Sequence, residues 1–169
     1  VDTVLAADAS CEFTITRFVE GDFSGPDHDN LFTAIAVDDD NTEATDDDNA
    51  TVDFENVLPT ILVTKTANPT AVPETGADVV FTFVVKNTSS EESVTITSLS
   101  DDVYGTLAGE AGVCEVGTVL AAGAECTFSF TASVEGDFMG APHVDLFTAT
   151  AVDNDGHSAT DDDPARVDF

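Results

Sequence analysis

Basic residues are nearly absent. Lys and Arg together number 4 against 34 Asp and Glu, giving a formal net charge of -30 over 169 residues. Few acids can therefore meet a cationic side chain within the chain. The same imbalance excludes polyanionic partners, since nucleic acid and anionic membrane surfaces would repel the chain. Trp is missing and Tyr occurs once, as Tyr104, which leaves little for stacking on sugars. No apolar run approaches the roughly 20 residues of a membrane span. No window of about 11–18 residues shows helical periodicity. Gly-x-Ser-x-Gly, His-Glu-x-x-His and phosphate-loop patterns are all absent. No secretory leader is read, so a secreted protein is expected here as its mature form or as an excised fragment. Cysteines number 3, so at least one lacks a mate within the chain.

What is present suits β structure. Hydrophobic residues make up 42%, with 12 Phe, enough for a core despite the acidity. Val and Thr are abundant, and Gly, Pro, Asn and Asp punctuate the chain at short intervals. That is the pattern of an all-β sandwich.

The chain repeats itself. Val4-Leu-Ala-Ala recurs from Val119, an offset of 115 residues, and the same offset pairs Cys11 with Cys126, Phe13 with Phe128 and Phe54 with Phe169. Val19-Glu-Gly-Asp-Phe23 returns as Val134-Glu-Gly-Asp-Phe138, and Leu31-Phe-Thr-Ala34 as Leu146-Phe-Thr-Ala149. A period of about 115 residues fits one immunoglobulin-sized sandwich. Residues 55–169 then form a complete repeat, and residues 1–54 only the second half of another. Either the chain belongs to a longer array, or another molecule supplies the missing strands.

Within the complete repeat, strands are expected at 61–66, 78–86, 93–99, 113–116 and 126–134, with a final hairpin over 146–152 and 159–169. A Pro-containing edge segment is expected over 68–73. Val79, Phe81, Phe83 and Val85 share one face and are assigned to the core. Cys126, Phe128, Phe130, Ala132 and Val134 alternate with Thr and Ser, the cleanest period-2 signal in the chain. In the first copy Arg17 stands at the position of Ala132.

The acids concentrate at the final hairpin of each copy. Asp153, Asp155, Asp161 and Asp163 correspond to Asp38, Asp40, Asp46 and Asp48. Residues two apart on a strand point the same way, so the turn is expected to gather these pairs around a cation. Ca²⁺ takes 6–8 oxygens, and short carboxylates supply several from one segment. Asp39, Asp47 and Asp162 extend the cluster toward the other side. Glu135 and Asp137, with Glu20 and Asp22, form a second acidic group, and Asp101 and Asp102 a third, each a candidate for a further ion. The sequence around Asp153 is not an EF-hand, because Ala151 falls at its first ligand position. The acidic surface of a halophile is the competing explanation, and the clustering favours bound cations.

Cys114 and Cys126 flank a connection of a length suited to a bridged hairpin and are expected to form a disulfide. The offset puts a mate for Cys11 just before the first residue, so Cys11 is expected free or joined to another chain. His28 and His143 are equivalent and are read as loop residues at a strand end. Paired carboxylates can hydrolyse glycosides, but acids recurring in both copies fit a building element better than a unique active site.

One resemblance is stated on these residues. Ile61-Leu-Val-Thr-Lys-Thr-Ala-Asn-Pro-Thr70, Pro73-Glu-Thr-Gly76 and Val80-Phe-Thr-Phe-Val-Val-Lys-Asn87 resemble the opening of a DUF11-type repeat. Cys114, Leu120-Ala-Ala-Gly123, Cys126-Thr-Phe128 and the run from Thr148 to Asp163 resemble its ending. The resemblance implies an Ig-like antiparallel β-sandwich, used in tandem in large secreted or wall-attached bacterial and archaeal proteins. The expectation is a non-catalytic element of an extracellular, calcium-stabilised fibre, stalk or adhesin. It would self-associate head to tail, with several Ca²⁺ ions and neither nucleic acid nor membrane insertion. The alternative is a carbohydrate- or ligand-binding accessory module of a secreted protein.

Overall fold

A computed structural model describes residues 3–169. Ten strands account for all its regular structure: β1 His28–Val37, β2 Glu43–Val52, β3 Ile61–Asn68, β4 Ala77–Asn87, β5 Val94–Asp101, β6 Gly105–Thr106, β7 Val119–Leu120, β8 Glu125–Val134, β9 His143–Val152 and β10 Ser158–Val167. The chain divides into two units, one ending at Asn56 and the other Val57–Phe169.

The larger unit is an all-β sandwich. One sheet has the order β3-β4-β8. The other runs β10-β9-β5-β6, with β7 also on β5. All pairings between these strands are antiparallel. The alternation in β4 decides its inner face: Val79, Phe81, Phe83 and Val85 are fully buried. Phe128 from β8 and Phe147 from β9 meet them, Phe83 stacking on Phe128 at 4.7 Å and meeting Phe147 edge-on at 4.8 Å. Such pairs add about 0.5–1.5 kcal/mol beyond their burial. In β5 strict alternation would carry Ser98 inward. A register shift between Ile96 and Ser98 against β9 corrects this and returns Leu99 to the core.

The final hairpin is β9–β10, with Phe147 opposite Asp163 and Ala149 opposite Asp161. The segment at 70–72 joins this hairpin's end, Val72 N–H donating to the Asp168 carbonyl and Asp168 N–H to that of Thr70. The strand expected at 113–116 does not form. Glu110 and Cys114 bridge across a tight turn instead, and Cys114 is disulfide-bonded to Cys126. With glycines at 109, 112 and 117, all at positive φ, the segment turns too sharply to extend.

The smaller unit contains the hairpin β1–β2. Its register repeats that of β9–β10, with Phe32 opposite Asp48 and Ala34 opposite Asp46. Residues 10–19, the counterpart of β8, form no strand. Most side chains that are core in the larger unit are exposed here, among them Phe13, Phe32, Ala34 and Val52, while Val19 is half-buried.

Candidate functional site

The repeated acids divide into two groups with different work. Asp161 and Asp163 lie on the face of β10 that also carries buried Ala165 and Val167. Their carboxylates therefore point at the neighbouring sheet and meet the open edge of β3. Asp161 Oδ2 accepts from Val63 N–H at 2.8 Å, and Asp163 Oδ2 from Lys65 N–H at 2.7 Å. Unpaired strand edges invite further pairing. Here two charged acceptors occupy the edge, in bonds roughly twice as strong as neutral ones. Asp162 faces outward and is exposed.

Asp153 organises the turn. Its Oδ1 accepts from Asp155 N–H at 3.0 Å and His157 N–H at 2.7 Å. In the smaller unit Asp38 does the same toward Asp40 and Thr42. The other oxygen of Asp153 and Oδ1 of Asp155 are buried and accept no hydrogen bond among the described residues. His157 Nδ1 stands 3.5 Å from Asp153 Oδ2. A buried carboxylate oxygen that accepts no hydrogen bond costs about 1–3 kcal/mol or more, and this turn holds two such oxygens. Two carboxylates fall short of a full calcium shell. Among the described residues no group of three or more His, Cys, Asp or Glu side chains is close enough to hold a metal ion. The remaining ligands would be carbonyl oxygens and water.

The turn thus brings Asp153 and Asp155 together, while Asp161 and Asp163 are drawn to β3. The remaining candidates are dispersed. Glu135, Asp137 and Asp102 are exposed; Asp137 accepts from Met139 N–H, and Asp102 from Leu146 N–H at 2.7 Å. The Glu-Gly-Asp loop recurs for a packing reason. A Cβ on Gly136 would lie 2.2 Å from the Phe169 ring, and one on Gly21 equally close to Phe54. In the smaller unit Asp22 caps its own loop through Ser24, and Asp40, Asp46, Asp48 and Glu20 are exposed.

The third acidic candidate leads to a cluster that the sequence reading did not assemble. Lys65 is buried, and its Nζ lies 2.5 Å from Asp101 Oδ2 and 2.6 Å from Asp145 Oδ2, all three side chains fully shielded. Asp101 Oδ1 accepts from Val103 and Tyr104 N–H, so both oxygens of Asp101 are engaged. The ammonium also sits 5.0 Å from the Phe81 ring centre and 5.4 Å from that of Phe83. His143, the first residue of β9 rather than a loop residue, is 3.5 Å from Asp145 and 3.4 Å from the Tyr104 hydroxyl. Burial, then the charges of Asp145 and Asp101, push the Tyr104 hydroxyl up to about 12. The signal was available: Lys65 falls in phase with Ile61 and Val63, and Asp145 in phase with Phe147 and Ala149. A lone charge on a core face calls for a buried counter-charge.

Comparison with known proteins adds little. No family model matches the chain, and no curated protein matches it. Among solved structures it is similar to a Bordetella pertussis protein described as ApaA, at 15% identity and a TM-score of 0.39, over 64% of this chain and 93% of that one. That likeness is too slight to carry a function.

Proposed function

We propose that the chain is a non-catalytic building element, an Ig-like repeat with a preceding half-repeat, of an extracellular fibre, stalk or adhesin. One observation carries this reading: the acids that the complete repeat turns inward are spent on construction. Asp161 and Asp163 close a strand edge, Asp153 ties a turn, and Asp101 with Asp145 holds a buried lysine. The disulfide between Cys114 and Cys126 suits an oxidising compartment. The resemblance to DUF11-type repeats points the same way.

Ca²⁺ enters this proposal at the β9–β10 turn, through Asp153 Oδ2 and Asp155 Oδ1, with Asp38 and Asp40 as the equivalent pair. A cation there supplies the missing partner for two buried oxygens and offsets part of the chain's charge. Antibody raised against the chain should decorate filaments or stalks on source cells in immunoelectron microscopy. Labelling confined to the cell interior would overturn the proposal.

A further inference from the structure

The half-repeat keeps the internal arrangement of its complete counterpart without its cover. Phe13 meets Phe32 edge-on at 5.6 Å, as Phe128 meets Phe147 at 6.0 Å. Yet Phe13 is 63% exposed against 3% for Phe128, and Phe32 53% against 0% for Phe147. Two open grooves, of 610 and 580 Å³, run between residues 11–19 and the β1–β2 hairpin. Contiguous apolar surface of this kind marks an interaction face.

We propose that this groove receives a polypeptide segment built like residues 57–118, the four strands β3 to β6 followed by a cysteine-bearing loop, from outside residues 1–169. The inference rests on the repeat reading and not on calcium. The complete repeat shows what each exposed feature awaits. β8 pairs with β4, whereas residues 10–19 pair with no strand among the described residues. Asp161 and Asp163 receive two N–H groups of β3, and Asp46 and Asp48 hold the same register positions without such donors. Cys126 is bonded to Cys114, whereas Cys11 is free and exposed.

The buried charge fits the same occupant. In the complete repeat one lysine faces two carboxylates, one of them Asp145. The half-repeat has neutral Asn30 at that position. A Lys65–Asp101 pair brought in by such a segment is locally neutral and meets an amide there in place of a second carboxylate. A second copy cannot satisfy the face by exchange. The 169 residues hold two second halves and one first half, so swapping always leaves a half uncovered. This is strand addition in the sense of sheet augmentation, extended to half a sandwich. Covalent closure converts two thiols to one disulfide. Each thiol gives up a proton and an electron to an external disulfide, which leaves as two thiols.

The full chain, with its Cys114–Cys126 bridge intact, is incubated with a peptide of residues 57–118 in a glutathione redox buffer. The expected product is a one-to-one adduct bridged between Cys11 and the peptide's Cys114. Cys11→Ser should keep non-covalent binding, and Phe32→Asp, at a half-exposed site, should abolish both. Peptide aggregation would mask binding, so a second arm fuses 57–118 through a flexible linker ahead of residue 3. There, amides of β1 and of residues 11–19 should exchange at least ~10-fold more slowly than in the unfused chain. Absence of both adduct and protection overturns the proposal. So does dimerisation of the chain alone that buries Phe13 and Phe32. Calcium-dependent melting is read separately, so it distinguishes failure here from failure of the calcium reading.

Discussion

Replacing Lys65 by Met isolates the buried charge cluster. The substitution roughly conserves length and apolar volume while removing the ammonium that lies 2.5 and 2.6 Å from Asp101 and Asp145. Two carboxylates then remain inside, both side chains fully shielded. Breaking a buried pair by removing one partner costs about 3–5 kcal/mol, chiefly through the uncompensated charge left behind. Against a domain stability of about 5–15 kcal/mol, that is a large share. At about 4–8 °C per kcal/mol for small domains, the midpoint should fall by at least ~12 °C. Adding Asp101→Asn and Asp145→Asn removes the stranded charge, and Asn at 101 can still accept from Val103 and Tyr104. The triple variant should regain at least half of the loss. Lys86→Met is the control. Its pair with Glu125 spans 3.9 Å with both side chains about half exposed, and such pairs contribute about 0–1 kcal/mol. Urea unfolding of the three variants measures the differences. A Lys65→Met chain within ~1 kcal/mol of its parent would refute the reasoning.

Other outcomes follow from the same geometry. Asp163→Ala leaves the Lys65 N–H on the edge of β3 without its acceptor and should cost about 1–3 kcal/mol, whereas Asp48→Ala, exposed and without a β3 counterpart, should leave the urea midpoint unchanged. Spectroscopic titration near 295 nm should find the Tyr104 phenolate forming near pH 12, against about 10 in the unfolded chain. Because the folded pKa is the higher one, this contribution to stability is intact below pH 10 and is lost as pH rises toward 12.

Much of the fold was legible because period-2 patterning and burial coincide. Phe81 and Phe83 were assigned inward from alternation alone, and both are fully buried. The Cys114–Cys126 bridge was readable from spacing, although the strand expected around Cys114 gave way to glycine turns. The acidic residues were harder to read, because alternation shows which side a carboxylate faces and not what waits there. Asp161 and Asp163 look like cation ligands until β3 is placed beside them, and that neighbour is about 100 residues away in sequence. Lys65 and Asp145 each announced themselves as charges in phase with apolar neighbours. Their meeting required the two sheets to be stacked, which no local pattern encodes.

The acidic turn is tested most directly by thermal unfolding of the full chain at fixed high ionic strength, with millimolar Ca²⁺ and then with EDTA. A site of the weak, extracellular class, with Kd about 10⁻⁴–10⁻³ M, adds about 2.7 kcal/mol when Ca²⁺ exceeds Kd by about 100-fold. The account predicts a midpoint for the larger unit higher in Ca²⁺ by roughly 10 °C, an increment absent when Asp38, Asp40, Asp153 and Asp155 are all replaced by Asn. Coincident midpoints in Ca²⁺ and EDTA for the parent chain would contradict it.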